Sequence, residues 1–146
     1  KRQLGDYPKA IEYYQQRLDL ARDLQDFRGE GQVLRNLGSA CYALGNYELA
    51  IEYYQQRLLL SEDTQDLRVE EQCLGSLGVV YEALGNFAQA IQCYEKRLTI
   101  AKQLQDSRVE QQSLGSLKVA CYALGDYAKA FKYQELRSTI AANVSP

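Results

Sequence analysis

The chain has 146 residues, 46% hydrophobic and 25% charged, enough for one domain with a core and too little for two ordinary ones. Seventeen Lys and Arg against nineteen Asp and Glu give a net charge of −2 and a pI near 5.2. That balance excludes a disordered tail and the clustered basic surplus of a general nucleic-acid or anionic-membrane binder.

The first element opens at Asp6, a capping residue, with Pro8 in the first turn, where proline is tolerated. Ala10, Ile11, Tyr14, Leu18 and Ala21 then form a helical stripe, which predicts a helix over 7–24. A polar turn at Gln25-Asp26 leads to a second helix over 28–44, where Leu34, Leu37, Cys41 and Leu44 keep the helical spacing. That helix stops at Leu-Gly, because Gly45 can take the left-handed conformation of a helix end. Asn46 caps the next helix, 47–64, whose stripe is Tyr47, Ala50, Ile51, Tyr54 and Leu58. The pattern repeats: a turn at Gln65-Asp66, helices over 68–84 and 87–104, a turn at Gln105-Asp106, and helices over 108–124 and 127–142. The expectation is an all-α chain of seven helices with no strand and no long linker.

These elements recur with a strict period of 40 residues. Gly5-Asp6-Tyr7 returns as Gly45-Asn46-Tyr47, Gly85-Asn86-Phe87 and Gly125-Asp126-Tyr127. Ala10, Ala50, Ala90 and Ala130 hold one register, and Arg17, Arg57, Arg97 and Arg137 another. Arg28, Arg68 and Arg108 recur, as do Glu30, Glu70 and Glu110. A period in this range means a repeat array. The units are 27–66, 67–106 and 107–146, preceded at 1–26 by the second helix of a truncated unit, all within one domain. The last unit reads as a cap, with Gln134, Ser138 and Lys118 where its siblings have Tyr, Leu and Gly. The run Asn36-Leu37-Gly38, then Gly45-Asn46-Tyr47, Ala50-Ile51 and Tyr53-Tyr54, resembles a tetratricopeptide (TPR) repeat. The 40-residue period and the string at 10–18 and 50–58 are similar to the long repeats of LGN/Pins polarity adaptors and kinesin light chains. The resemblance implies a right-handed superhelical solenoid of antiparallel helix pairs, with first helices lining a concave groove and close helix approaches at Gly38, Gly78, Ala50 and Ala90.

No catalytic constellation is present. There is no histidine, which removes the commonest general base and zinc ligand. Cys41, Cys73, Cys93 and Cys121 form no CxxC pair and are expected to be reduced and buried. Leu-Gly-Ser-Leu-Gly at 74–78 lies inside a helix pattern and is no phosphate loop. Acidic neighbours such as Glu70-Glu71 read as solvated. Tyr7, Tyr14, Tyr47, Tyr54, Tyr94 and Tyr127 fall on core positions, whereas Tyr42 and Tyr122 fall on the groove stripe.

The expected function is therefore a scaffold without catalysis or cofactor that binds a peptide segment of a partner protein in the groove. The alternative is a structural or self-association spacer with an unused groove. The candidate contact residues are Arg28, Gln32, Arg35, Asn36, Tyr42, Arg68, Gln72, Arg108, Gln112 and Tyr122, a row of arginines over a small-residue floor. The arginines favour a mildly acidic ligand. The carboxylate clamp of chaperone-binding TPRs is not expected, since only Arg35 and Asn36 are of the required type. Gln32, Gln72 and Gln112 replace the arginines of the polarity adaptors, so their specificity is not carried over. Without a signal peptide or membrane span the location reads as cytoplasmic, and without an initiator Met the chain reads as a piece of something longer. Ion pairs are expected within each unit between Arg57 and Glu30, Arg97 and Glu70, and Arg137 and Glu110. The open face of the first helix (Ala10, Ile11, Tyr14, Leu18) is expected to be covered by a second copy or by upstream sequence.

Overall fold

The structure, a computed structural model, describes residues 6–144. Seven α-helices account for nearly all of them: α1 (Asp6–Asp23), α2 (Phe27–Ala43), α3 (Tyr47–Asp63), α4 (Leu67–Ala83), α5 (Phe87–Gln103), α6 (Ser107–Leu124) and α7 (Tyr127–Val144). No strand occurs among the described residues. The predicted helices are all present, with bounds displaced by one or two residues. The chain divides into two compact units at 66/67, where the 40-residue period also places a repeat boundary. In the first, α1 packs on α2 and α2 on α3; in the second, α4 packs on α5, α5 on α6 and α6 on α7.

Two kinds of turn separate the helices. Within a repeat, Gly45, Gly85 and Gly125 take φ of +81°, +78° and +94°. Asn46, Asn86 and Asp126 then accept from the backbone N–H three residues on, at 3.3, 3.3 and 3.1 Å. Between repeats the left-handed residue is not glycine but Gln25, Gln65 or Gln105, with φ of 54°, 57° and 54°. A side chain there costs about 1 kcal/mol relative to glycine. Asp26 and Asp106 follow as N-caps, accepting from Gly29 N and Val109 N at 3.0 and 3.1 Å.

Helix pairs close through small-to-large packing. A Cβ placed on Gly38 would lie 2.6 Å from the Tyr54 ring, and one on Gly78 would clash with the edge of the Tyr94 ring. Leu34, Leu37, Cys41, Ala50 and Tyr54 are buried in the first unit. In the second, Ile91, Tyr94, Leu114, Leu117, Cys121, Ala130 and Tyr133 form one core cluster. Each large side chain there contributes roughly 1.5–3 kcal/mol by leaving water. All four cysteines are free and buried. Ser113 stands where the earlier repeats have Val33 and Cys73, and its buried hydroxyl has no hydrogen-bond partner.

Several expectations are corrected. Tyr127 is 61% exposed, not core, while Tyr53 and Tyr133 are buried. The Tyr133 hydroxyl donates to Glu95 at 3.0 Å. Glu30 pairs with Arg22 of α1 at 3.2 Å rather than with Arg57, whose buried Nε makes no hydrogen bond. The acceptor for Arg97 Nε is Glu71, one residue beyond the expected Glu70. Arg137 is exposed and no ion pair joins it to Glu110 among the described residues. On α1, Leu18 and Ala21 are buried and Ala10, Ile11 and Tyr14 half-buried.

Candidate functional site

A cleft lies within the second unit. It has a volume of about 480 Å³ and is lined by Arg68, Glu71 and Gln72 of α4, Arg97 of α5, and Arg108, Val109 and Gln112 of α6, with Asp106 at the α6 cap.

A buried carboxylate organises it. Glu71 is only 3% exposed; its Oε1 accepts from Arg97 Nε at 3.0 Å and its Oε2 from Arg68 Nη1 at 2.9 Å. Arg68 Nη1 also donates to Asp106 at 2.9 Å, so one guanidinium ties α4 to the start of α6. Arg97 Nη2 reaches Gln112 Oε1 at 3.3 Å, tying α5 to α6. The hydrogen bond to Glu71, followed by that to Asp106, pushes the Arg68 pKa up. The Val109 backbone N–H, aided by Arg68, holds Asp106 below the usual carboxylate range. Reading Glu70-Glu71 as a solvated pair therefore fails for Glu71. Its helical register points it inward between two arginines, and a buried charge is kept only when paired in this way.

Arg68 and Arg97 are thus consumed in holding three helices together. Arg108 is different: it is exposed and forms no ion pair among the described residues. Three arginines against two carboxylates, Glu71 and Asp106, leave the cleft with a surplus positive charge.

Of the sequence-predicted contact residues, Arg68, Gln72, Arg108 and Gln112 come together here. Arg28, Gln32, Arg35 and Asn36 are exposed on α2 in the first unit. Tyr42 and Tyr122 do not line the cleft. Each packs instead against the tyrosine that opens the following helix, tilted for Tyr42–Tyr47 and edge-to-face for Tyr122–Tyr127, with ring centroids 5.4 and 4.9 Å apart. Sequence reasoning missed Glu71, Arg97, Asp106 and Val109. The available signal was the break in the period at 31, 71 and 111, which hold Gly31, Glu71 and Gln111.

The family profile described as tetratricopeptide repeat matches residues 1–63 and 70–142. The chain belongs to the tetratricopeptide repeat family. No curated protein sequence matches it significantly. Among solved structures it is similar to BtubC (BKLC) from P. vanneervenii, at 22% identity and TM-score 0.83, covering 97% of this chain and 60% of that one. It is also similar to the nearly identical TPR-like repeats of a Podosopora anserina kinesin light chain, at 20% identity and TM-score 0.79, covering 97% and 70%. A third is the TPR domain of Arabidopsis FLU, at 20% identity and TM-score 0.72, covering 80% and 98%. These likenesses establish the all-α TPR-type solenoid fold, and the similar structures include kinesin-light-chain TPR-like repeats. This chain spans less than two thirds of the BtubC chain. The TPR fold is generally a protein–protein interaction module and typically a non-catalytic scaffold. Among the described residues, no helix is long and apolar enough to cross a membrane.

Proposed function

We propose that this TPR chain is a non-catalytic adaptor that binds a short, mildly acidic peptide segment of a partner protein in the cleft between α4, α5 and α6. The observation that carries this reading is the division of labour among the arginines. Arg68 and Arg97 are neutralised by Glu71 and Asp106, which fixes the cleft walls, while Arg108 stands exposed beside them without a carboxylate. A rigid cleft with one uncommitted guanidinium favours a ligand that brings its own carboxylate, and arginine is among the side chains that most often dominate such interfaces. Gln72 and Gln112, both exposed on the same helices, offer amide groups to a ligand backbone. Four free, buried thiols suit a reducing, cytoplasmic setting.

The test is selection from a random peptide display library, with the wild-type chain and Arg108→Glu as baits and Gln89→Glu as a surface-charge control. Wild type and the control are expected to enrich peptides with Asp or Glu, and Arg108→Glu to lose them at unchanged circular dichroism. Arg68 is unsuitable for this comparison, since it also holds α4 to α6. Equal enrichment by Arg108→Glu would place binding elsewhere and defeat the reading.

A further inference from the structure

We propose that the first unit carries a separate carboxylate-binding slot at Gly31, in which a carboxylate of a bound peptide takes the place that Glu71 fills in the next repeat.

The period makes Arg28, Gly31 and Arg57 the counterparts of Arg68, Glu71 and Arg97. In the later repeat one carboxylate joins both guanidiniums, at 2.9 Å from Arg68 Nη1 and 3.0 Å from Arg97 Nε. In the earlier repeat both arginines are kept and the carboxylate between them is missing. Arg57 is only 8% exposed, and its buried Nε has no hydrogen-bond partner. Buried N–H groups are seldom left in this state, because the lost hydration is not replaced. A Cβ at Gly31 would sit 3.9 Å from that Nε and 3.8 Å from Leu60 Cδ2, ordinary contacts that leave the position able to accept a side chain.

The neighbouring acid does not fill the gap: Glu30 is turned toward α1, where it accepts from Arg22 Nε at 3.2 Å. Arg28, one turn before Gly31, is exposed and in no ion pair among the described residues. It is thus placed as the outer guanidinium, with Arg57 as the inner one. The ligand class is a peptide carboxylate, from an Asp or Glu side chain or from a chain end; a planar acceptor pair matches the two guanidinium donors. This inference does not rest on the cleft in the second unit: it uses other residues, and either can fail alone.

The test is a titration followed by the side-chain Nε–H resonance of Arg57, with blocked peptides Gly-Glu-Gly and Gly-Gln-Gly and an N-acetylated Gly-Gly-Gly with a free carboxyl end. A saturable shift at Arg57 is expected with a carboxylate peptide, at the weak millimolar-range affinity of one charge-assisted contact. The blocked Gly-Gln-Gly is expected to produce none. Whether the blocked Glu peptide or the free chain end shifts it more identifies the source. Gly31→Glu places the carboxylate internally. It is expected to shift the Arg57 resonance without ligand and to weaken the peptide response by about tenfold or more. Gly31→Ala, which adds helix propensity without charge, is expected to leave the unliganded Arg57 resonance near its wild-type position. No response at Arg57 to either carboxylate peptide, an equal response to the Gln peptide, or an unchanged response in Gly31→Glu would each overturn the proposal.

Discussion

The repeat built from α4 and α5 and the one built from α6 and α7 share a period and one core cluster, but close their helix pairs differently. In the first, Gly78 lets Tyr94 lie flat against α4, and the Tyr94 hydroxyl donates to Glu82. In the second, Lys118 stands for Gly78 and Gln134 for Tyr94. Glycine and tyrosine disappear together, because a glycine in mid-helix is worth its loss of helix propensity only when a ring needs the space. The ionic positions differ in the same way. Arg97 is held by Glu71, whereas Arg137 faces a repeat with Gln111 at that place, is exposed, and packs near Gly115. Phe131 and Leu136 on α7 are 66% and 43% exposed. The Glu71 charge network is thus confined to α4, α5 and α6, the helices that form the cleft.

This contrast can be broken at the Glu71 network first. Glu71→Ala leaves Arg97 without its main acceptor, and a buried pair broken from one side costs about 3 kcal/mol or more. Chemical denaturation should show that loss. Glu110→Ala, at a position with no ion pair to Arg137, should move stability by less than about 0.5 kcal/mol. Equal losses would mean that Glu71 does not frame the cleft. The next largest effect is steric. Gly78→Ala pushes a methyl group into Tyr94 and should cost about 2 kcal/mol despite the better helix propensity. Lys118→Ala at the same register should be tolerated, and thermal unfolding of the two variants checks the difference.

The smallest expected effect sharpens the comparison by pH. Burial first, then the hydrogen bond to Glu82, raises the Tyr94 pKa, and burial with Glu95 does the same for Tyr133. Burial pushes the Cys93 thiol up to about 11. Each group keeps its proton longer when folded. Above the unfolded values, about 8.5 for Cys and 10 for Tyr, the unfolded chain releases protons that the folded chain retains. Stability should therefore fall as pH rises from about 8.5. Asp106 acts with the opposite sign: its lowered pKa contributes stability above about 3.9 that is lost as pH falls through the folded value. Urea midpoints measured from pH 7 to pH 11 should decline less in Tyr94→Phe than in wild type.

Helix number, turns and close approaches were legible because they rest on local signals: apolar spacing, Leu-Gly stops, Asn and Asp caps, and small residues facing large ones. The left-handed Gln25, Gln65 and Gln105 were not, since nothing in a glutamine announces a positive φ; the conformation belongs to a helix stop, where the N–H groups of Gln25 and Asp26 donate back to Arg22 and Ala21. The cleft was half legible. The recurring Arg68, Gln72, Arg108 and Gln112 pointed to it, but repetition also drew attention to Glu70 over Glu71. The residue that organises the cleft is the one that breaks the period, so its partner on α5 emerged only from the three-dimensional register. Tyr42 and Tyr122 show the converse, since a shared stripe did not reveal that each packs against the tyrosine of the next helix.

The most direct measurement of the central claim, that Arg108 in the α4–α6 cleft receives an acidic ligand residue, is a charge-swap cycle. A peptide selected by the wild-type chain, and the same peptide with its acidic residue changed to Lys, are titrated against wild type and Arg108→Glu by fluorescence anisotropy. Either change alone is expected to weaken binding about tenfold, and the two together to recover most of the loss. Losses that simply add, or an affinity indifferent to Arg108→Glu, would contradict it.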